Sequence, residues 1–265
     1  MNTSMFTPPS LAKCLVAGVA LLIVTQAQAY KRVYVHTDAE EDYLEQRSPD
    51  KPESYYFFKG IYFGGYIRDD SLTAVEFIDI AKGMAPHLAQ QDYWPATSKE
   101  TCDLLLIVNW GTTNPGYHGD VARRILPDSF DGNYYDELAS GDYKEDDYEW
   151  FGKQRNSKLL GFYPYLRWEH FTGITPQDEY ELRSALRMER YFIIVTAFDF
   201  QELMNNKEWK RVWSTRFNIR SPGTNFVDAH LALSKAAAPY YGKKMKHLGK
   251  EKANFEPVIA EVEMG

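Results

Sequence analysis

Between Asp128 and Phe151 the chain sets nine carboxylates among seven aromatic rings. Like charges at that density resist burial and rings resist full exposure, so the stretch is expected at the surface with its rings partly covered. The candidate binding residues are Tyr134, Tyr135, Asp146, Asp147, Tyr148, Glu149 and Trp150. As a sugar platform, the rings would stack on a glycan while the acids bond its hydroxyls. As a landing site, the acids would meet a basic partner. The plainer alternative is a solvated flap whose rings dock on its own domain. Two correctly separated carboxyls could also hydrolyse a glycosidic bond, which makes a carbohydrate-active enzyme the alternative function. A calcium loop fits poorly, because Phe130 stands where an oxygen ligand belongs.

Other reactive side chains give less. The histidines are His36, His87, His118, His170, His230 and His247, without the i, i+4 pairing or cysteine spacing of a zinc site. His230 falls near the apolar stripe of a helix, where packing and hydrogen bonds account for it. Cys102, beside Asp103 at a strand entrance, reads as a buried spectator thiol rather than a nucleophile. Gly111-Thr112-Thr113-Asn114-Pro115-Gly116 follows a strand but lacks the lysine and the helix of a phosphate cradle, so it reads as a turn. Arg123-Arg124 and the lysines of 243–252 read as solvated charge. No serine-centred elbow occurs. The sequence therefore predicts no catalytic residue, no metal and no cofactor.

The elements that must carry these residues follow from periodicity. Val33 and Val35 alternate in a short strand over 31–36. The acidic, proline-containing stretch 38–54 has the composition of a linker. A strand over 55–66 is expected to be buried on both sides. A helix over 72–89 opens on a capping box at Thr73 and Glu76 and is kinked or shortened by Pro86. An unbroken apolar strand covers 104–110. A second helix runs from Thr175-Pro176 to about Arg190. Strands over 191–200 and 211–219 form a hairpin, the second showing its Ser214, Arg216 and Asn218 side to solvent. A last helix, capped by Asn225, stops at Gly242. Residues 243–265 read as a tail. The fold class is α+β: a mixed, mainly antiparallel sheet with helices packed on one face and a long acidic-aromatic insertion at about 112–174.

The N-terminus gives an address. Lys13, an apolar run over 15–24 and Ala27-Gln28-Ala29 have the order of a secretory signal. The run is shorter than the ~20 residues of a membrane span. The signal would occupy 1–29 and a single domain 30–242, delivered as a soluble periplasmic or secreted protein without stable membrane insertion. The formal charge is −7, one unit more negative once Lys13 is removed. That balance disfavours nucleic acid and anionic membrane as general partners. Of the two cysteines only Cys102 would remain, so no intramolecular disulfide can form.

The stretches Cys102-Asp103-Leu104-Leu105-Leu106-Ile107-Val108, 191–200, Lys210-Arg211-Val212-Trp213-Ser214 and 225–242 carry a resemblance. Their order is similar to small exported α+β envelope domains: the curli-secretion lipoprotein family, the TolB amino-terminal domain, and an uncharacterised family of bacterial envelope lipoproteins. Two features depart from that plan. No lipid-accepting cysteine stands at the cleavage point, and roughly 65 residues separate Trp110 from the closing helix–strand–strand–helix unit. The resemblance implies a non-catalytic binding or assembly role in the cell envelope, with an envelope protein or a glycan as partner. N-terminal sequencing of the protein from its native host is expected to read Tyr30 first; recovery of Met1 would refute export by cleavage.

Overall fold

The computed structural model describes residues 31–48, 51–65, 67–115, 155–166 and 174–255. Seven strands make one sheet: β1 (Arg32–Ala39), β2 (Glu53–Phe63), β3 (Tyr93–Pro95), β4 (Leu104–Thr112), β5 (Arg190–Asp199), β6 (Arg211–Arg220) and β7 (Gly249–Lys252). Their spatial order is β3-β2-β4-β5-β6-β1-β7. β2 runs parallel to β3 and to β4, and every other neighbouring pair is antiparallel. This is the expected α+β class with a mixed, mainly antiparallel sheet.

β5 lies at the centre and is buried along its length apart from Asp199. Because side chains alternate along a strand, Tyr191, Ile193, Val195 and Ala197 enter the main core while Phe192 and Ile194 enter a second one. The main core is closed by α3 (Phe77–Ala89), through Ile80, Met84 and Leu88, and by α6 (Phe226–Ala237), through Phe226, Ala229, Leu233 and Ala237. On the opposite face a smaller layer covers part of the sheet. It consists of a helical segment at 155–160, a 3₁₀ turn at Tyr163–Tyr165, and α4 (Pro176–Leu186), contributing Leu159, Leu160, Phe162, Leu182 and Leu186.

The helices begin where side chains satisfy their first free amides. Asn225 Oδ1 accepts from Val227 N at 2.8 Å to open α6, and Thr175 Oγ1 accepts from Asp178 N at 3.1 Å to open α4. The chain expected as one helix over 72–89 divides into α2 (Asp70–Thr73) and α3. Asp69 caps the first, and Asp79 Oδ2 accepts from Glu76 N at 3.0 Å at the start of the second. The reciprocal cap therefore sits three residues later than the Thr73–Glu76 spacing suggests. Pro86 lies inside α3, which nevertheless continues to Ala89.

Composition misses three elements. The stretch 38–54 holds α1 (Glu41–Gln46), whose Tyr43 is buried. β3 pairs with only the first three residues of β2, Glu53 to Tyr55. Gly249–Lys252, within the segment whose composition suggests a tail, pairs with β1 as β7; the ladder needs backbone groups, which a charged Lys-Glu-Lys run supplies as well as an apolar one. Such short, charged or proline-bearing edge strands also discourage further pairing. β2 is not buried on both sides. Phe58 and Tyr62 are exposed, because β3 covers so little of its outer edge. No helix among the described residues is long and apolar enough to cross a membrane.

Gly111 belongs to β4 rather than to a turn, at φ +149°, and a Cβ there would lie 2.1 Å from the Phe63 carbonyl oxygen. Gly111→Ala combines an unfavourable backbone region with a clash against main chain. It is expected to cost at least ~2 kcal/mol, read as a lower urea midpoint at unchanged m-value; a neutral result would place β2 and β4 differently.

Candidate functional site

Strand register divides the second face of the sheet into rows. One row runs from His36 on β1 through Arg216 on β6 and Ile194 on β5 to Asn109 on β4. The next runs Asp38, Ser214, Thr196, Ile107 and Phe58, from polar to aromatic across five strands. The small layer closes over the first row. Gly161, at φ +75°, lets the chain pass so near that a Cβ would stand 2.6 Å from the His36 Cβ and 3.4 Å from that of Arg216. Tyr165 then places its ring edge-on to His36, and its hydroxyl lies 3.1 Å from His36 Nδ1.

The second row meets a different neighbourhood. Beyond it lies a small apolar cluster of Cys102, Leu105, Phe198 and Phe200, with Tyr56, Ile107 and Leu203 against it. α5 (Phe200–Asn206) supplies part of this cluster. Around it, large apolar side chains reach solvent: Phe58 is 56% exposed, Met204 45% and Trp209 56%, the last packed edge-on to Phe198 at 5.3 Å. Alternation from buried Tyr93 puts exposed Trp94 on this same face. The second face thus has a covered row that includes Arg216, a next row with Ser214 and Thr196, and an aromatic end open to water.

The polar side of β6 is not the solvent-facing surface its alternation suggests. Asn218 and Ser214 are buried, and Arg216 is only partly exposed. Asn218 Nδ2 donates to the Leu160 carbonyl at 2.9 Å, while its Oδ1 accepts from Arg190 Nε at 2.5 Å. Arg190 also lies over the Tyr34 ring at 5.0 Å. Burial lowers the Arg190 guanidinium to about 10. Glu181 on α4 gathers Tyr34, Arg32 and Lys250. This network fastens α4 and 155–166 to the sheet.

Arg216 has no such partners. Its Nε is buried and finds no hydrogen-bond acceptor. Burial, then the nearby Arg211 cation, lowers its pKa to about 10, while Asp38 opposes the shift. Asp38 is itself engaged by Arg211 at 3.3 Å, and Arg211 Nε donates to Glu40 at 3.1 Å. Ser214 Oγ and Thr196 Oγ1 lie 3.3 Å apart. Burial, reinforced by the Arg216 charge, holds His36 down at about 4, so at neutral pH its ring is uncharged. The arrangement offers Arg216 with an unused Nε donor, several hydroxyls and a neutral imidazole, while the unpartnered Nη2 of Arg190 lies deeper in the fold. That set has donors of the kind an anion or a polar ligand would use.

The seven acidic and aromatic residues singled out from the sequence, Tyr134, Tyr135, Asp146, Asp147, Tyr148, Glu149 and Trp150, lie outside the described residues. Cys102 is fully buried, and burial raises its thiol to about 11, with Sγ donating to the Leu104 carbonyl at 3.2 Å. His230 is buried in α6 with Nδ1 at 3.1 Å from the Phe226 carbonyl. Among the described residues, no three His, Cys, Asp or Glu side chains converge as a metal site would require.

The chain matches no protein-family model and no curated relative. Among solved structures it is similar to a PDZ domain protein from Parabacteroides distasonis, with a TM-score of 0.39 and 9% identity over 83% of this chain. The chain spans 39% of that protein. It is also similar to a DUF4136 family protein from Bacteroides thetaiotaomicron, with a TM-score of 0.30 and 12% identity over 78% of this chain and 95% of the other. At these values neither likeness bears on the site.

The His36 environment sets a pH dependence. The unfolded chain takes up a proton near 6.5 and the folded chain only near 4, so between those values the unfolded state binds more protons and stability rises with pH. The contribution is complete above 6.5 and is lost as pH falls toward 4; 2.5 units correspond to roughly 3 kcal/mol. The groups facing the ring are Arg216, Asp38, Arg211 and Tyr165. Urea unfolding at pH 7 and pH 4.5 is expected to show a smaller acid loss in His36→Gln than in the parent. Equal losses would mean that His36 protonates freely in the fold.

Proposed function

We propose that this protein is an exported, non-catalytic binding or assembly component of the bacterial cell envelope, and that it engages its partner through the second face of the sheet. The observation that carries the reading is the open aromatic end of that face. Phe58, opposite Ile107, and Trp209, packed on Phe198, are exposed beside the small cluster, and Trp94 is exposed on the same face. Large exposed apolar patches on folded proteins mark interaction surfaces, and aromatic and methionine side chains are the types enriched at their centres.

The sequence supplies the rest of the proposal. A signal-like N-terminus supports export, and net negative charge argues against nucleic acid. An envelope protein fits an exposed, ring-bearing surface of this kind, and a glycan fits it by stacking. The carbohydrate-active alternative depends on carboxylates outside the described residues, and no described residue adds to it.

Photo-crosslinking in living cells tests the surface. A photoreactive residue in place of Phe58 or Trp209 is expected to capture a discrete envelope component, whereas one in place of Tyr180, exposed on α4, captures none. Equal capture at all three positions, or none at Phe58 and Trp209, would refute the reading.

A further inference from the structure

Arg190, Arg211 and Arg32 on the same sheet each have an acceptor, although the buried Nη2 of Arg190 finds none. Arg190 bonds Asn218, Arg211 bonds Asp38 and Glu40, and Arg32 bonds Glu181. Arg216 stands on a central strand with a buried Nε and no acceptor among the described residues. Removing a guanidinium from water without pairing it is costly, and the cost is not recovered in the ligand-free fold. Arg190 is also desolvated, but at 3% exposure it is sealed beneath the covering layer. Arg216 keeps access to solvent, beside the Ser214 and Thr196 hydroxyls and next to the row that leads to Phe58.

We propose that Arg216 anchors the carboxylate of a bound ligand, presenting Nε–H and the adjacent Nη–H as a two-toothed donor. That fork matches the two oxygens of a carboxylate. The surrounding charges favour a monoanion over a dianion: Asp38 and Glu40 already balance Arg211 and Arg216, so each further negative charge on the ligand adds repulsion. The assignment rests on the reading of the second face as the binding surface, and it specifies the chemistry recognised there. The carboxylate comes either from a small free acid or from an acidic side chain of a partner.

The test is a titration of isotope-labelled full-length protein at constant ionic strength, following the Arg216 Nε–Hε signal and the Ser214 and Thr196 amides. Acetate represents the free acid, N-acetyl-glutamate amide the chain-borne acid, N-acetyl-glutamine amide the uncharged control, and inorganic phosphate the competing anion. Saturable shifts with acetate and N-acetyl-glutamate amide support the assignment. Tighter binding of the glutamate compound by tenfold or more assigns the source to an acidic side chain, and equal binding assigns it to a free acid. Arg216→Gln is expected to abolish the response, and Arg216→Lys, which keeps the charge but loses the fork, to weaken it at least tenfold.

A second readout separates a binding role from a structural one. Removing an unpaired, desolvated cation is expected to raise the melting temperature of ligand-free Arg216→Met by about 2–4 °C. A fall instead, an equal response to the glutamine control, tighter binding of phosphate, or no saturable shift would overturn the assignment. Crosslinking at Phe58 without a carboxylate response would sink this inference alone. A carboxylate response without crosslinking would sink the envelope-partner reading alone.

Discussion

The constraint on which the fold depends is the burial of β5 on both faces. Tyr191, Ile193, Val195 and Ala197 require one apolar cover, and Phe192 and Ile194 require another. α3 and α6 provide the first with long side chains from two packed helices. The second comes from a thinner layer that must cross the polar side of β6. It does so with the Leu160 carbonyl, which accepts from Asn218 while Arg190 of the sheet itself donates to the same side chain, so that a buried amide becomes a fastening rather than a loss. Gly161 gives the approach that brings Tyr165 onto His36.

That thin layer ends before the sheet does. Past Arg216 and Ser214 no equivalent cover continues among the described residues, and the surface changes from satisfied polar groups to exposed rings at Phe58 and Trp209. The two arginines on this face show the difference in kind. Arg190 is bonded to Asn218, lies over Tyr34 and is sealed, with only its Nη2 left unpartnered. Arg216 is desolvated at Nε without a partner, at the margin where solvent enters. A fold selected for stability alone would favour an apolar residue there, as buried charges replaced by well-packed apolar side chains often show.

Much of the fold was legible because the signals were local. The apolar run of β4, the alternation of β6, the Asn225 cap and the Pro176 start of α4 each depend on neighbours within a few residues. Where the outcome depended on distant partners, local patterns misled. Lys250, Glu251 and Lys252 read as solvated charge, yet their backbone pairs with β1. Phe58 and Tyr62 read as interior, yet they lie beyond the three residues of β2 that β3 pairs and are exposed. Ser214 and Asn218 read as solvent-facing because polar alternation usually means that, yet both are buried, Asn218 beneath 155–166 arriving from across the chain and Ser214 beside Thr196. Arg216 and His36 were invisible as a pair for the same reason: 180 residues apart in sequence, they are cross-strand neighbours in space.

By itself the sequence determined the α+β class, the central strands and the starts of α4 and α6, since periodicity and capping are set by residues near one another in the chain. It also carries the charge balance and the signal-like N-terminus, which need no fold to be read. Only the tertiary structure decided which polar side chains are satisfied and which are not. That distinction depends on acceptors delivered by remote segments, and no local pattern encodes whether a distant carbonyl arrives at Asn218 or fails to arrive at Arg216.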